Sequence, residues 1–183
     1  MRRTLLAAIL VVVIVVAGLP GPRPVAADPP IGLHLLGTSC GGVREDEAVR
    51  LAGGLPVKVV LEHWACDDPA TVRRMIAAGT RQVVLRTGDG LDGYSYARIA
   101  SLIETPRGSG DSWGALMRDH PEVDWWLEVG NEPNYVMPDP WVARWWAIAT
   151  VRELRDNAAG HLAEPWSVRY PMLRYAASLN VAG

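Results

Sequence analysis

Short apolar runs separated by helix-patterned sequence constrain this chain more than any other feature. Residues 57–61 (Val-Lys-Val-Val-Leu), 82–85 (Gln-Val-Val-Leu) and 123–129 (Val-Asp-Trp-Trp-Leu-Glu-Val) are rich in β-branched, aliphatic and aromatic side chains and too short for helices. Residues 31–36 read as an earlier strand of the same kind, with His34 inside it. Helix signals fill the intervals. Residues 44–52 look helical and stop at Gly53-Gly54. Asp68 offers an N-cap and Pro69 a first turn for a helix that ends at Gly79. Residues 95–104 and 112–119 make two more, separated by Pro106 and a flexible Gly108-Ser109-Gly110. Asp139 and Pro140 open a last helix through Trp141, Trp145, Ile148 and Arg152 toward Gly160. Strands this apolar pair in parallel and need helices over a face, so the chain belongs to the α/β class.

The count of units then limits the architecture. Four βα units occupy most of the chain, whereas a closed eight-stranded barrel takes about 250 residues. The expectation is the N-terminal half of a (β/α)8 TIM barrel. Residues 167–173 could open a fifth strand, but Pro171 argues against it. No role is assigned to residues 174–183.

The first residues are set apart from the fold. Arg2 and Arg3 precede an apolar run over residues 5–19, and Val25-Ala26-Ala27 places small residues at a cleavage position. This is the pattern of a secretory signal peptide over residues 1–27, and the run is shorter than the roughly 20 residues of a membrane span. Cleavage after Ala27 leaves 156 of the 183 residues, one domain over 28–183. Loss of Arg2, Arg3 and Arg23 takes the 18 basic residues to 15 against 20 acidic ones, a formal charge of −5. The expectations are an extracytoplasmic protein, no nucleic-acid partner, no membrane partner after cleavage, and a neutral ligand such as a sugar. Cys40 and Cys66 follow neighbouring strands, where export permits a disulfide between them; the alternative is two thiols. The four histidines lack metal spacing, and neither metal nor cofactor is expected.

In parallel βα folds, functional side chains sit at the carboxyl ends of the strands. The fourth run leads directly into Gly130-Asn131-Glu132-Pro133-Asn134. Gly130 permits a bend without a Cβ clash, Pro133 stiffens the turn, and Asn131 sets a donor and an acceptor beside the acid. Trp125 and Trp126 flank it and offer a low-dielectric wall, which would raise the carboxyl pKa of Glu132 toward that of a general acid.

This segment resembles the Asn-Glu-Pro signature of the clan A glycoside hydrolases, retaining (β/α)8 barrels that include cellulases, mannanases and xylosidases. In that group the signature ends the fourth strand, and Glu132 follows the fourth run here. The resemblance implies that Glu132 is the acid/base and that Asn131 hydrogen-bonds the sugar 2-hydroxyl. It also implies a nucleophilic glutamate at the end of a seventh strand, which this chain lacks. Of the later acids, Asp139 sits at a helix cap, and Glu153, Asp156 and Glu164 lie on or beyond the outer helix. Upstream, Glu62 and Asp89 end the second strand and follow the third; Glu62 could approach an inverting distance.

Other residues carry two readings each. Arg86 either binds a sugar hydroxyl or pairs with Glu128 or Glu132. His34 and His63 either line the mouth or hydrogen-bond structurally. Glu128 shares strand parity with Glu132 and is either a supporting acid or an ion-paired one. Trp64 and Tyr135 lie in strand-end loops as sugar platforms, while Trp141, Trp145 and Trp146 are expected to pack on the sheet from their helix. Three functions follow. The first is retaining hydrolysis of a poly- or oligosaccharide, with the missing half supplied by further chain or by self-association of half-barrels. The second is a non-catalytic carbohydrate-binding remnant. The third is a truncated fragment.

Overall fold

The computed structural model describes residues 33–35, 45–61, 68–88, 94–130 and 139–177. Five strands form one sheet: β1 (Leu33–Leu35), β2 (Val57–Val60), β3 (Gln82–Arg86), β4 (Asp124–Val129) and β5 (Leu173–Ala177). Every pairing is parallel, and the order across the sheet is β1-β2-β3-β4-β5. Helices α1 (Glu45–Ala52), α2 (Pro69–Ala77), α3 (Tyr96–Glu104), α4 (Trp113–Asp119), α5 (Pro140–Asp156) and α6 (Trp166–Arg169) fill the connections. The protein is therefore a mixed α/β fold with a parallel sheet.

The caps are where the sequence places them. Asp68, Ser95, Ser112 and Asp139 each accept a backbone N–H of the following helix, from Ala70 (2.9 Å), Arg98 (3.3 Å), Ala115 (3.1 Å) and Trp141 (2.8 Å). Helix α5 stops short of Gly160, because Asn157 adopts a left-handed cap (φ 52°). The Gly108-Ser109-Gly110 segment is held rather than loose: Ser109 donates its hydroxyl (2.6 Å) and backbone N–H (3.1 Å) to the Asp68 carboxylate.

The pleat sorts the strands into two faces. Val57, Val59, Val83, Leu85, Trp125, Leu127 and Val129 are buried, and the residues between them on β3 and β4 are only partly so. Strands laid down in sequence order and joined by right-handed crossovers return every helix to the same face. The buried set joins Met75, Ile76, Ile99, Ile103, Leu116, Met117 and Leu154 of that helical layer in one core. The opposite face carries Lys58, Gln82, Val84, Arg86, Asp124, Trp126, Glu128 and Arg174 in register across the strands.

Three expectations change. Residues 166–169 form helix α6, and the fifth strand lies at Leu173–Ala177, in the stretch given no role. Pro171 sits in the turn before β5 and costs the ladder nothing, while Leu173 pairs beside Trp125 and enters the core. Trp141, Trp145 and Trp146 do not pack on the sheet and are exposed. Helix α5 instead buries Ala147, Thr150, Glu153 and Leu154, on the side away from Trp141 and Trp145. Helical spacing alone does not say which stripe faces inward when both are apolar.

Candidate functional site

At the carboxyl end of the sheet, β2 is tied to β3, and β3 to β4, past their last ladder pairs. The Leu61 N–H donates to the Arg86 carbonyl (2.8 Å), and the Thr87 N–H to the Glu128 carbonyl (2.9 Å). The buried Thr87 hydroxyl then accepts the Gly130 N–H at 2.7 Å. Gly130 has a left-handed φ of 78°, a conformation other residues adopt only with strain. The ring of Tyr94 lies directly against it, so there is no room for a Cβ. Tyr94 is held in turn through its carbonyl, which accepts the Thr150 hydroxyl of α5. Burial pushes the Tyr94 phenol above its ordinary pKa, and among the described residues its hydroxyl has no hydrogen-bond partner. The backbone leading to residue 131 is thus fixed on three sides by Thr87, Tyr94 and the β4 ladder.

Below this turn, the sheet face opposite the helical layer presents charges in rows. Val60, Arg86, Glu128 and Ala176 share one row, and His34, Lys58, Val84, Trp126 and Arg174 the row beneath it. Lys58 reaches across β3 to pair with Glu128 (Nζ–Oε2 2.5 Å). Glu128 is therefore ion-paired, with Lys58, a residue passed over in the sequence. A lone lysine in the run Val-Lys-Val-Val was the available signal, since a buried strand tolerates a charge only with a partner. Thr87 and Tyr94 carry no such signal; their roles come from packing alone. One row lower, Asp124 accepts the Trp126 indole N–H (3.0 Å) and the Gln82 amide (3.3 Å) and pairs with Arg174 (3.3 Å).

Trp125 and Trp126 do not form a joint wall. Adjacent strand residues point to opposite faces. Trp125 is buried under the helices with its N–H on the His120 carbonyl (2.9 Å), while Trp126 lies on the opposite face beneath the Arg174 guanidinium. Both indole N–H groups bond to residues earlier in the chain, away from the Gly130 turn.

The later acids fall as the sequence suggests. Asp139 caps α5, Asp156 pairs with Arg155 (2.7 Å), and Glu164 is exposed. Glu153 is buried and spent on structure. It accepts backbone N–H groups of Ala159 (2.6 Å) and His161 (3.0 Å) and faces the His161 ring (3.3 Å). Burial works against its charge, but these donors more than compensate and hold the carboxyl below its usual range. No carboxylate described after β4 is placed at the sheet mouth.

Asn131, Glu132 and Tyr135 lie outside the described residues, as do Glu62, His63, Trp64, Asp89, Cys40 and Cys66 with their proposed disulfide. Arg86 and Glu128 are brought side by side as register partners. Among the described residues no group of His, Cys, Asp or Glu is arranged to hold a metal ion, and no helix is long and apolar enough to cross a membrane. No family model, characterised protein or solved structure matches the chain.

Proposed function

We propose that this chain is part of a (β/α)8 barrel of the clan A glycoside hydrolase type, in which Glu132 is the acid/base for retaining hydrolysis of a poly- or oligosaccharide. The observation that supports this reading is the placement of Gly130. It closes the fourth strand of a parallel sheet in sequential order, on a rigid turn, two residues before Glu132. In the proposed reaction Glu132 gives its proton to the glycosidic oxygen as the aglycone leaves. A second carboxylate, about 5–5.5 Å away, bonds the anomeric carbon. Glu132 then removes a proton from water as that water displaces the carboxylate. Asn131, Arg86, Trp64 and Tyr135 would contact the sugar. No cofactor is needed, and the leader over residues 1–27 would send the protein out of the cytoplasm.

None of the later acids Asp139, Glu153, Asp156 and Glu164 is placed to be the second carboxylate, so for the retaining reaction we assign it to further chain or to a second copy. That same placement favours a second reading, a non-catalytic carbohydrate binder that keeps the Asn131-Glu132 turn. Aryl-glycoside turnover decides between them. Turnover lost in Glu132→Gln supports the enzyme. Sugar binding without turnover, weakened by Trp64→Ala or Tyr135→Ala, supports the binder. Neither turnover nor binding would end both readings.

A further inference from the structure

We propose that the outer face of α5 docks on an anionic lipid bilayer. Trp141 is 72% exposed, Trp145 68% and Trp146 46%, with Val142 and Ile148 exposed beside them. Residues 141, 145 and 148 follow one another along one side of the helix, and 142 and 146 run alongside. Isolated exposed apolar residues are ordinary; five on the first three turns of one helix mark an interaction surface.

Charge narrows the partner. Several arginines elsewhere on the molecule pair with acids: Arg50 with Glu47, Arg73 with Asp111 and Asp119, Arg74 with Asp46, Arg155 with Asp156, Arg169 with Glu104 and Arg174 with Asp124. On this face Arg144 and Arg152 are exposed, and among the described residues neither forms a salt bridge; Arg144 lies over the Trp141 ring (5.8 Å). From residue 140 to 152 there is no acidic residue, in a chain whose formal charge is −2. The complement to tryptophan, aliphatic side chains and two exposed arginines is a surface that is apolar beneath and negative above. Residues 141–149 offer no amide, hydroxyl or carboxylate side chain. A helix of this kind lies in the headgroup layer, with tryptophans at its apolar boundary and arginines on phosphates. Sequence alone points to no membrane partner; the exposure of this face, which sequence does not show, is what changes that.

The test is flotation of the full chain with vesicles of phosphatidylcholine alone and of phosphatidylcholine with phosphatidylglycerol. The apolar run over residues 5–19 is common to every variant, so the reading is the change each substitution causes. The expected result is binding to the anionic vesicles that salt weakens. Replacing both Arg144 and Arg152 with Gln should lower partitioning about 25-fold, at about fivefold per arginine. Replacing Trp141 and Trp145 with Ser should lower it on both vesicle types. Far-UV circular dichroism of each variant should match the parent, because the substituted side chains are exposed. Binding unchanged by either pair overturns the proposal. So does absence of binding to the anionic vesicles, and loss of a dimer or of polyglucuronate binding in the tryptophan pair would then assign the face to that partner instead.

Discussion

Gly130→Ala should be among the most costly conservative substitutions in the protein, for two separable reasons. The first is backbone. Position 130 has φ 78°, and an L-residue in the left-handed region pays about 1–2 kcal/mol. The second is packing. A Cβ there would sit under 3.0 Å from Cζ, Oη and Cε1 of Tyr94, whose ring is buried and whose backbone carbonyl accepts the Thr150 hydroxyl. Forcing a methyl into a filled site costs about 1–3 kcal/mol. The sum, about 2–5 kcal/mol, is a large part of the about 5–15 kcal/mol by which a domain is stable. Gly110 (φ 84°) and Gly160 (φ 76°) share the backbone conformation, but a Cβ at either would meet nothing within 4 Å. Gly110→Ala and Gly160→Ala should therefore show the backbone penalty alone, about 1–2 kcal/mol. Urea unfolding followed by circular dichroism would measure all three. A double-mutant cycle with Tyr94→Ala isolates the packing term, because the methyl then has space. If Gly130→Ala costs no more than Gly110→Ala and Gly160→Ala, or if its cost is unchanged without the Tyr94 ring, the account of this turn is wrong.

Three further outcomes follow from the geometry. Glu153→Gln should cost about 1–3 kcal/mol near neutral pH, since the charged acceptor of the Ala159 and His161 N–H groups is lost. Because the folded state holds this carboxyl below its usual range, its stabilisation is present above the unfolded pKa of about 4.3 and fades as pH falls through the folded value, so unfolding curves of parent and Glu153→Gln should converge in acid. Lys58→Met should cost more than the double variant Lys58→Met/Glu128→Leu, because the single change strands a largely buried carboxylate; equal or reversed unfolding midpoints would contradict the pairing. Gly114→Ala should destabilise although alanine favours helices by about 1 kcal/mol, since its Cβ would press on the buried Tyr170, and thermal unfolding in a Tyr170→Leu background should reverse the sign.

The sequence discloses local chemistry well and tertiary choice poorly. Asp68-Pro69, Ser95, Ser112 and Asp139-Pro140 mark helix starts because a capping oxygen acts within three residues. Runs 57–61 and 82–85 are legible because short β-branched segments fit few other structures. Strand β5 was obscured by Pro171, which lies just outside it, and by an Arg-Tyr-Ala-Ala composition that only its pairing with β4 explains. Helix α5 offers two apolar stripes, and it is Ala147, Thr150 and Leu154, not the tryptophans, that face the core. At the candidate site Gly130 and Glu128 were visible as residues. Lys58, Thr87 and Tyr94 enter through contacts spanning 43 residues in the case of Thr87 and Gly130, which no local pattern records.

The sequential order of the strands also governs how such a sheet grows. Each strand lies beside the one synthesised just before it, so none has to be threaded between neighbours already in place. A nascent chain can consolidate each unit on the edge of the last as it emerges, and β5, the newest edge, is where the next strand would join. Adding a unit on the β5 side would change one border of the sheet and leave the Thr87–Gly130 turn intact.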